Sequence, residues 1–90
     1  MMFTAKQDVV SRRKEDMLIL LRTSTGHYYT LNHTGALLWE NLIDKRLPID
    51  QCISAITADC ENAPEADTIR RDCEVLIEQW RSEQLIEAQV

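Results

Sequence analysis

The hydrophobic pattern of this chain changes its period near Asn32, and this change constrains the fold more than any other feature. Before Asn32, short apolar runs alternate with turn residues, which is typical of β-strands. After it, apolar residues recur at every third or fourth position, which is typical of amphipathic helices. The chain has 90 residues, so we expect a single domain, residues 1–90, without a second hydrophobic core.

Three strands are predicted before the change of period, at residues 8–13, 17–22 and 27–31. The second is apolar almost throughout, which predicts that both of its faces are at least partly covered. In the third, Tyr29 and Leu31 alternate onto one side of the strand. We assign this side to the core because Leu31 leads directly into the first helix.

Three amphipathic helices are predicted after the change of period. Either Asn32 or Thr34 can cap the first helix, which extends to about Lys45. Pro48 and Pro64 occupy the position that proline favours at a helix start, so they predict the second and third helices. The apolar stripe of the third helix consists of Ile69, Cys73, Leu76, Ile77 and Trp80. Such helices can cover one face of a three-stranded antiparallel sheet, which predicts an α+β, winged-helix-like fold with the strands first.

The composition favours a binding module over an enzyme. The formal charge is −5, and an acidic chain lacks the basic surface of a nucleic-acid-binding domain. The histidines and cysteines have spacings that suit neither a catalytic constellation nor a metal site, and two glycines are too few for a phosphate-binding loop. We therefore expect no catalytic residue, no cofactor and no metal.

The sequence predicts a cytoplasmic protein. No stretch approaches the roughly eighteen apolar residues of a membrane-spanning helix, and the N-terminus lacks the apolar core of a signal peptide. The chain contains three cysteines, an odd number without a CxxC pair, which fits a reducing compartment.

Two segments are candidates for binding a partner. The strand His27–Leu31 would present unpaired backbone N–H and C=O groups if it lay at a sheet edge. The third helix is longer and more apolar than a small core requires, and we expect Trp80 near its end to be half-buried. A strand edge beside a helix forms a groove in which an extended peptide can add as a further strand. The spacing of Leu76 and Trp80 is equally that of ordinary core residues.

Several stretches of the chain resemble the PqqD-like family, which comprises leader-recognition domains for ribosomally made, post-translationally modified peptides. These stretches are GHYYTLNHTGALLW at residues 26–39, DCEVLI at residues 72–77 and LI at residues 85–86. The similarity extends over residues 8–88, and its most specific part is YTLNHTG at residues 29–35. Within the family, the chain is most similar to the leader-binding proteins of lasso-peptide biosynthesis.

The resemblance implies that a leader peptide adds as a strand beside the third strand, in the groove against the third helix. It also implies delivery of the precursor to a leader protease and cyclase, or to a radical SAM enzyme as for PqqD itself. The peptide-binding residues that it implies are His27, Tyr28, Tyr29, Thr30, Leu31, Asp72, Cys73, Leu76 and Trp80. Asn32, Thr34 and Trp39 also match the family motif, and we interpret them as structural.

The chain departs from the family pattern at helix ends. Many relatives have a glycine between the first two helices, where residues 44–47 here are DKRL, and another where Gln84 stands. Other interpretations stay open: a winged-helix nucleic-acid-binding regulator, which the acidic side chains of the third helix disfavour, or a structural subunit of a larger complex. Because exposed edge strands can pair between copies, a homodimer is open as well.

Overall fold

The computed structural model describes residues 2–15, 17–59 and 65–89. Its strands are β1 (Met2–Ala5), β2 (Val9–Lys14), β3 (Met17–Arg22), β4 (Tyr28–Leu31) and β5 (Ile86–Gln89). Its helices are α1 (His33–Trp39), which a π-helical segment (Glu40–Asp44) continues, α2 (Ile49–Asp59) and α3 (Ala66–Ser82). β2, β3 and β4 form an antiparallel sheet in that order, which confirms the predicted α+β fold.

The three-stranded sheet buries one face and exposes the other. Because side chains alternate along a strand, Leu18 and Leu20 of β3 point toward the helices and are buried, whereas Leu21 points away and is exposed. The register pairs Leu31 with Leu18 and Tyr29 with Leu20, so β4 adds both residues to the inner face. The inward orientation of Tyr29 and Leu31 is therefore confirmed, whereas the outer face of β3 is more open than its apolar sequence predicts.

A second, two-stranded sheet, which the sequence does not predict, is formed by β1 and β5. Phe3 lies opposite Ala88 and Ala5 lies opposite Ile86 in this antiparallel pair. Phe3, Leu85 and Ile86 are all buried, so the pair joins both ends of the chain to the core. The two strands lie at opposite ends of the sequence, so no local pattern indicates that they pair.

α1 packs over the inner face of the sheet, α2 and α3 pack against α1 and against each other, and two tryptophans lie between α1 and α3. Trp39 of α1 and Trp80 of α3 meet edge to face, with ring centroids 5.2 Å apart and an interplanar angle of 79°. Such a pair contributes roughly 0.5–1.5 kcal/mol beyond the burial of its area. Trp80 is only 3% exposed, so it is buried more deeply than the half-buried position expected from its place near the helix end.

The turn from β4 into α1 is fixed by Asn32. Its Oδ1 accepts a hydrogen bond from the Gly35 N–H at 2.9 Å, so Asn32, of the two candidates, caps the helix. A Cβ at Gly35 would lie 3.3 Å from the Leu31 Cβ, so the absence of a side chain allows α1 to approach the end of β4 closely. Cys60 and Pro64, on which part of the sequence interpretation rests, lie outside the described residues.

Candidate functional site

β4 is an edge strand, and β3 is its only strand partner among the residues that the structure describes. The Arg22 N–H donates to the His27 C=O at 2.8 Å, so His27 faces β3 with its backbone groups. In an antiparallel pair every second residue does the same. By this alternation, Tyr29 directs its backbone groups toward β3. Tyr28 and Thr30 therefore direct theirs away from the sheet, and each presents one N–H and one C=O along the open edge.

A cleft of about 480 Å³ lies between this edge and α3. Its apolar lining consists of Leu31, Leu76, Trp80 and Leu85, and polar lining comes from residues such as Asn32, Gln79 and Glu83. Shallower depressions continue it at both ends, beside His27 at one end and between Thr34 and Asp72 at the other. The cleft and its two continuations form one groove, which we call the β4–α3 groove.

The strand and the helix that border the β4–α3 groove match in length. From His27 to Asn32 the strand advances roughly 17 Å, at about 3.3 Å per residue. From Asp72 to Glu83 the helix advances about the same distance, at about 1.5 Å per residue. The groove can therefore accommodate an extended segment of about five residues along its whole length.

The end of α3 forms part of the groove floor through a Schellman motif. The Leu85 N–H donates to the Trp80 C=O at 2.8 Å, and the Gln84 N–H donates to the Arg81 C=O at 3.0 Å. Gln84 has a φ of 60°, in the left-handed region that glycine favours. This turn brings Leu85 beside Trp80, so that both side chains lie beneath the cleft.

A polar network connects the end of α3 to the sheet. The Tyr29 hydroxyl donates to Glu83 Oε2 at 3.0 Å, and Arg22 Nη1 donates to the Glu83 C=O at 3.2 Å. Arg22 also forms an ion pair with Asp8, with 3.1 Å between Nη2 and Oδ2. The hydrogen bond to Glu83 raises the pKa of Tyr29, and hydrogen bonds from Ser24 and then Arg22 lower the pKa of Asp8. These contacts fix the width of the groove at this end.

The structure places most of the predicted site residues along the β4–α3 groove. The predicted strand residues His27–Leu31 form its open backbone edge, although the Tyr28 and Thr30 side chains point to the outer face of the sheet. On α3, Leu76 is half-buried in the cleft lining, Trp80 lies beneath it, and Asp72 is exposed at one end.

Cys73 is a correction to the predicted set. Its side chain is 0% exposed, because this position on α3 faces the core and α2 rather than the groove. Burial raises the pKa of Cys73 to about 11, and it does the same for Cys52. Cys73 is therefore a small core residue beneath the groove and offers no surface to a ligand.

Val75, Gln79 and Glu83 also border the groove on α3, although they are not among the site residues predicted from the sequence. Gln79 and Glu83 follow Leu76 by three and seven residues, so helical spacing places them on its side of the helix. Once Leu76 is predicted to line the groove, this spacing is enough to predict that Gln79 and Glu83 border it as well. Val75 gives no such signal, because an exposed valine is recognised only from the structure, where it is 52% exposed.

Some kinds of site are not found in the described ranges. No group of three His, Cys, Asp or Glu side chains there is arranged to hold a metal ion. None of the helices described is both long enough and apolar enough to cross a membrane.

Comparisons with known proteins identify a family and a fold. The family model for coenzyme PQQ synthesis protein D (PqqD) matches residues 18–86. The chain is similar to the structure of TbiB1 in complex with the TbiA(beta) leader peptide, with a TM-score of 0.84 and 24% identity over 97% of this chain and 98% of that one.

The chain is also similar to lasso peptide synthetase B1 complexed with the leader peptide, with a TM-score of 0.83 and 23% identity over 98% of this chain and 100% of that one. At these identities the two similarities establish the fold. A comparison with curated protein sequences gives no match.

Proposed function

This chain belongs to the PqqD family, as its sequence motifs predict, and we propose that it binds the leader segment of a ribosomally made precursor peptide without catalysing a reaction. The open edge of β4 beside an apolar cleft is the observation that carries the proposal. An extended segment would pair with the backbone groups of Tyr28 and Thr30 as a fourth strand. Both similar structures are complexes with leader peptides, which supports a leader peptide as the ligand.

Side chains of the leader must contribute to its affinity. Four main-chain hydrogen bonds at about 0.5–1.5 kcal/mol each give roughly 2–6 kcal/mol. A micromolar complex requires about 8 kcal/mol. In a fourth strand every second side chain would face the cleft above Leu76, Trp80 and Leu85. We therefore expect apolar leader residues at alternate positions.

The contribution of this protein to chemistry would be to position a substrate. The titratable groups of the cleft, Tyr29 and Glu83, bond to one another, and neither is paired with a nucleophile. By holding the leader, the protein would raise the effective concentration of the attached core peptide at a modifying enzyme. A leader protease and cyclase, or a radical SAM enzyme, are the partners that the family resemblance suggests.

Titration of a labelled leader peptide, encoded near this gene, tests the proposal by fluorescence anisotropy. A scrambled peptide of the same composition is the control. We expect a micromolar Kd for the leader, and a Kd weaker than about 100 μM would contradict the proposed function. Single N-methyl groups placed along the leader should weaken binding at alternate residues, because only every second N–H of an added strand points to β4.

A further inference from the structure

The outer face of the three-stranded sheet carries an apolar surface on the side opposite the helices. We define this outer face by the side chains that alternate with the buried ones, which are Val10, Arg12, Lys14, Met17, Ile19, Leu21, Tyr28 and Thr30. Four of the five large hydrophobic side chains that are exposed in the described ranges belong to it, including Tyr28 at 71%. Leu21 lies opposite Val10 on one side and opposite Tyr28 on the other, so these three form a continuous row. Contiguous exposed apolar surface of this kind marks interaction sites.

The charged side chains of the outer face are cationic. Arg12 lies opposite Ile19 and Lys14 lies opposite Met17, so each cation lies beside an apolar side chain of the same face. No acidic residue of β2, β3 or β4, as described here, points to this face. The chain as a whole carries a charge of −5, so the face differs in sign from the rest of the surface. It is complementary to a protein surface that combines apolar side chains with carboxylates.

We propose that the outer face docks the enzyme that processes the bound precursor, through an apolar and acidic patch on that enzyme. This inference rests on the proposed leader binding. A leader strand added to β4 would extend the sheet in its own plane, so its edge would lie directly beside Tyr28. An enzyme seated on the outer face would therefore lie next to the peptide as it leaves the groove. A second copy of this chain is a poorer occupant, since Arg12 and Lys14 of both copies would share one interface.

Two matched valines separate docking from leader binding. Val10 on the outer face and Val75 beside the β4–α3 groove are each 52% exposed. The probe is the modifying enzyme encoded beside this chain, purified alone and titrated against the labelled protein without leader. We expect Val10→Glu to weaken enzyme binding by about tenfold or more and to leave leader affinity within about twofold. Val75→Glu should weaken leader binding and leave enzyme binding unchanged.

Charge reversal provides a second test that does not depend on apolar contacts. Arg12→Glu should weaken enzyme binding, whereas Arg71→Glu, the same change on an exposed position of α3, should not. The wild-type interaction should also weaken as salt rises, because ions screen exposed charges. Equal enzyme affinity for wild type, Val10→Glu and Arg12→Glu would overturn the proposal, as would no enzyme binding by the wild type.

Sedimentation of the free protein tests the alternative occupant. A concentration-dependent dimer that Val10→Glu abolishes would assign the outer face to a second copy and overturn the proposal. Leader titration of the same variants distinguishes the two levels of inference. If the wild type binds the leader normally but Val10→Glu and Arg12→Glu do not change the affinity for the enzyme, only the docking surface is refuted. If the wild type does not bind the leader, the proposed function itself is refuted.

Discussion

Proline at position 30 should weaken leader binding and leave the protein folded. The alternation along β4 directs the Thr30 N–H away from β3, so Thr30→Pro removes no hydrogen bond from the sheet. Edge strands accept proline where the N–H points away from the sheet. The same substitution removes a donor from the open edge and places the pyrrolidine ring where a paired strand would lie.

The magnitude follows from the number of bonds affected. Loss of the Thr30 N–H bond and of one neighbouring bond displaced by the ring would cost about 1–3 kcal/mol. This corresponds to a leader affinity roughly 5- to 150-fold weaker. The free energy of unfolding should fall by only about 1 kcal/mol, which is the span of strand propensities.

The assay combines anisotropy titration of a labelled leader with urea denaturation of each variant. Thr30→Ala is the matched control, because it removes the outward-facing side chain and retains the N–H. We expect Thr30→Ala to bind the leader within about twofold of wild type, since its side chain lies outside the groove. A folded Thr30→Pro variant that binds as tightly as Thr30→Ala would show that the peptide does not pair with the β4 edge.

Three further predictions concern the walls of the groove. Leu76→Asp should weaken leader binding by about tenfold or more, because it places a carboxylate in the apolar lining; unchanged affinity in a protein with wild-type circular dichroism would remove Leu76 from the site. Glu83→Gln should lower the raised pKa of Tyr29, because the accepting carboxylate is lost; an ultraviolet titration with the other tyrosine replaced by phenylalanine measures this, and an unchanged midpoint would contradict it. Gln84→Gly should raise the free energy of unfolding by about 0.5–1 kcal/mol in urea denaturation, because glycine relieves the left-handed backbone; an equal gain from Gln84→Ala, which keeps a Cβ, would refute this cause.

The parts of the fold that the sequence predicts are those in which one periodic pattern extends over many residues. The stripe of α3 repeats through about three helical turns, and all of its members except Leu76 are buried. The pattern does not define the edges of that stripe. Cys73 and Leu76 are both apolar and lie three positions apart, yet the first faces the core and the second faces the cleft. Only the packing of α3 against α2, on one side, and the cleft between α3 and β4, on the other, distinguish them.

Exposure of the outer face could not be predicted for a related reason. The run Met17–Leu21 is apolar at every position. Such a run is compatible with a second face that contacts helices, a partner protein or solvent, so the pattern alone does not distinguish these cases. The family resemblance does not resolve this point, because its motifs lie in β4, α1, α3 and the start of the last strand and not in β2 or β3. The left-handed backbone conformation of Gln84 could not be predicted from the residue type, because glutamine does not favour it. The resemblance does indicate that many relatives have a glycine at this position.

β4 gives this small chain two surfaces that can be altered independently. The backbone N–H and C=O groups of Tyr28 and Thr30 lie in the plane of the sheet and point outward from its edge, toward the β4–α3 groove. Their side chains are perpendicular to the sheet and lie on the outer face. A side-chain substitution at position 28 should therefore affect docking on the outer face, and a backbone change at the same position should affect strand addition. Because one short strand belongs to both surfaces, a peptide paired with its edge and an enzyme seated on its outer face would be adjacent without any movement of the fold.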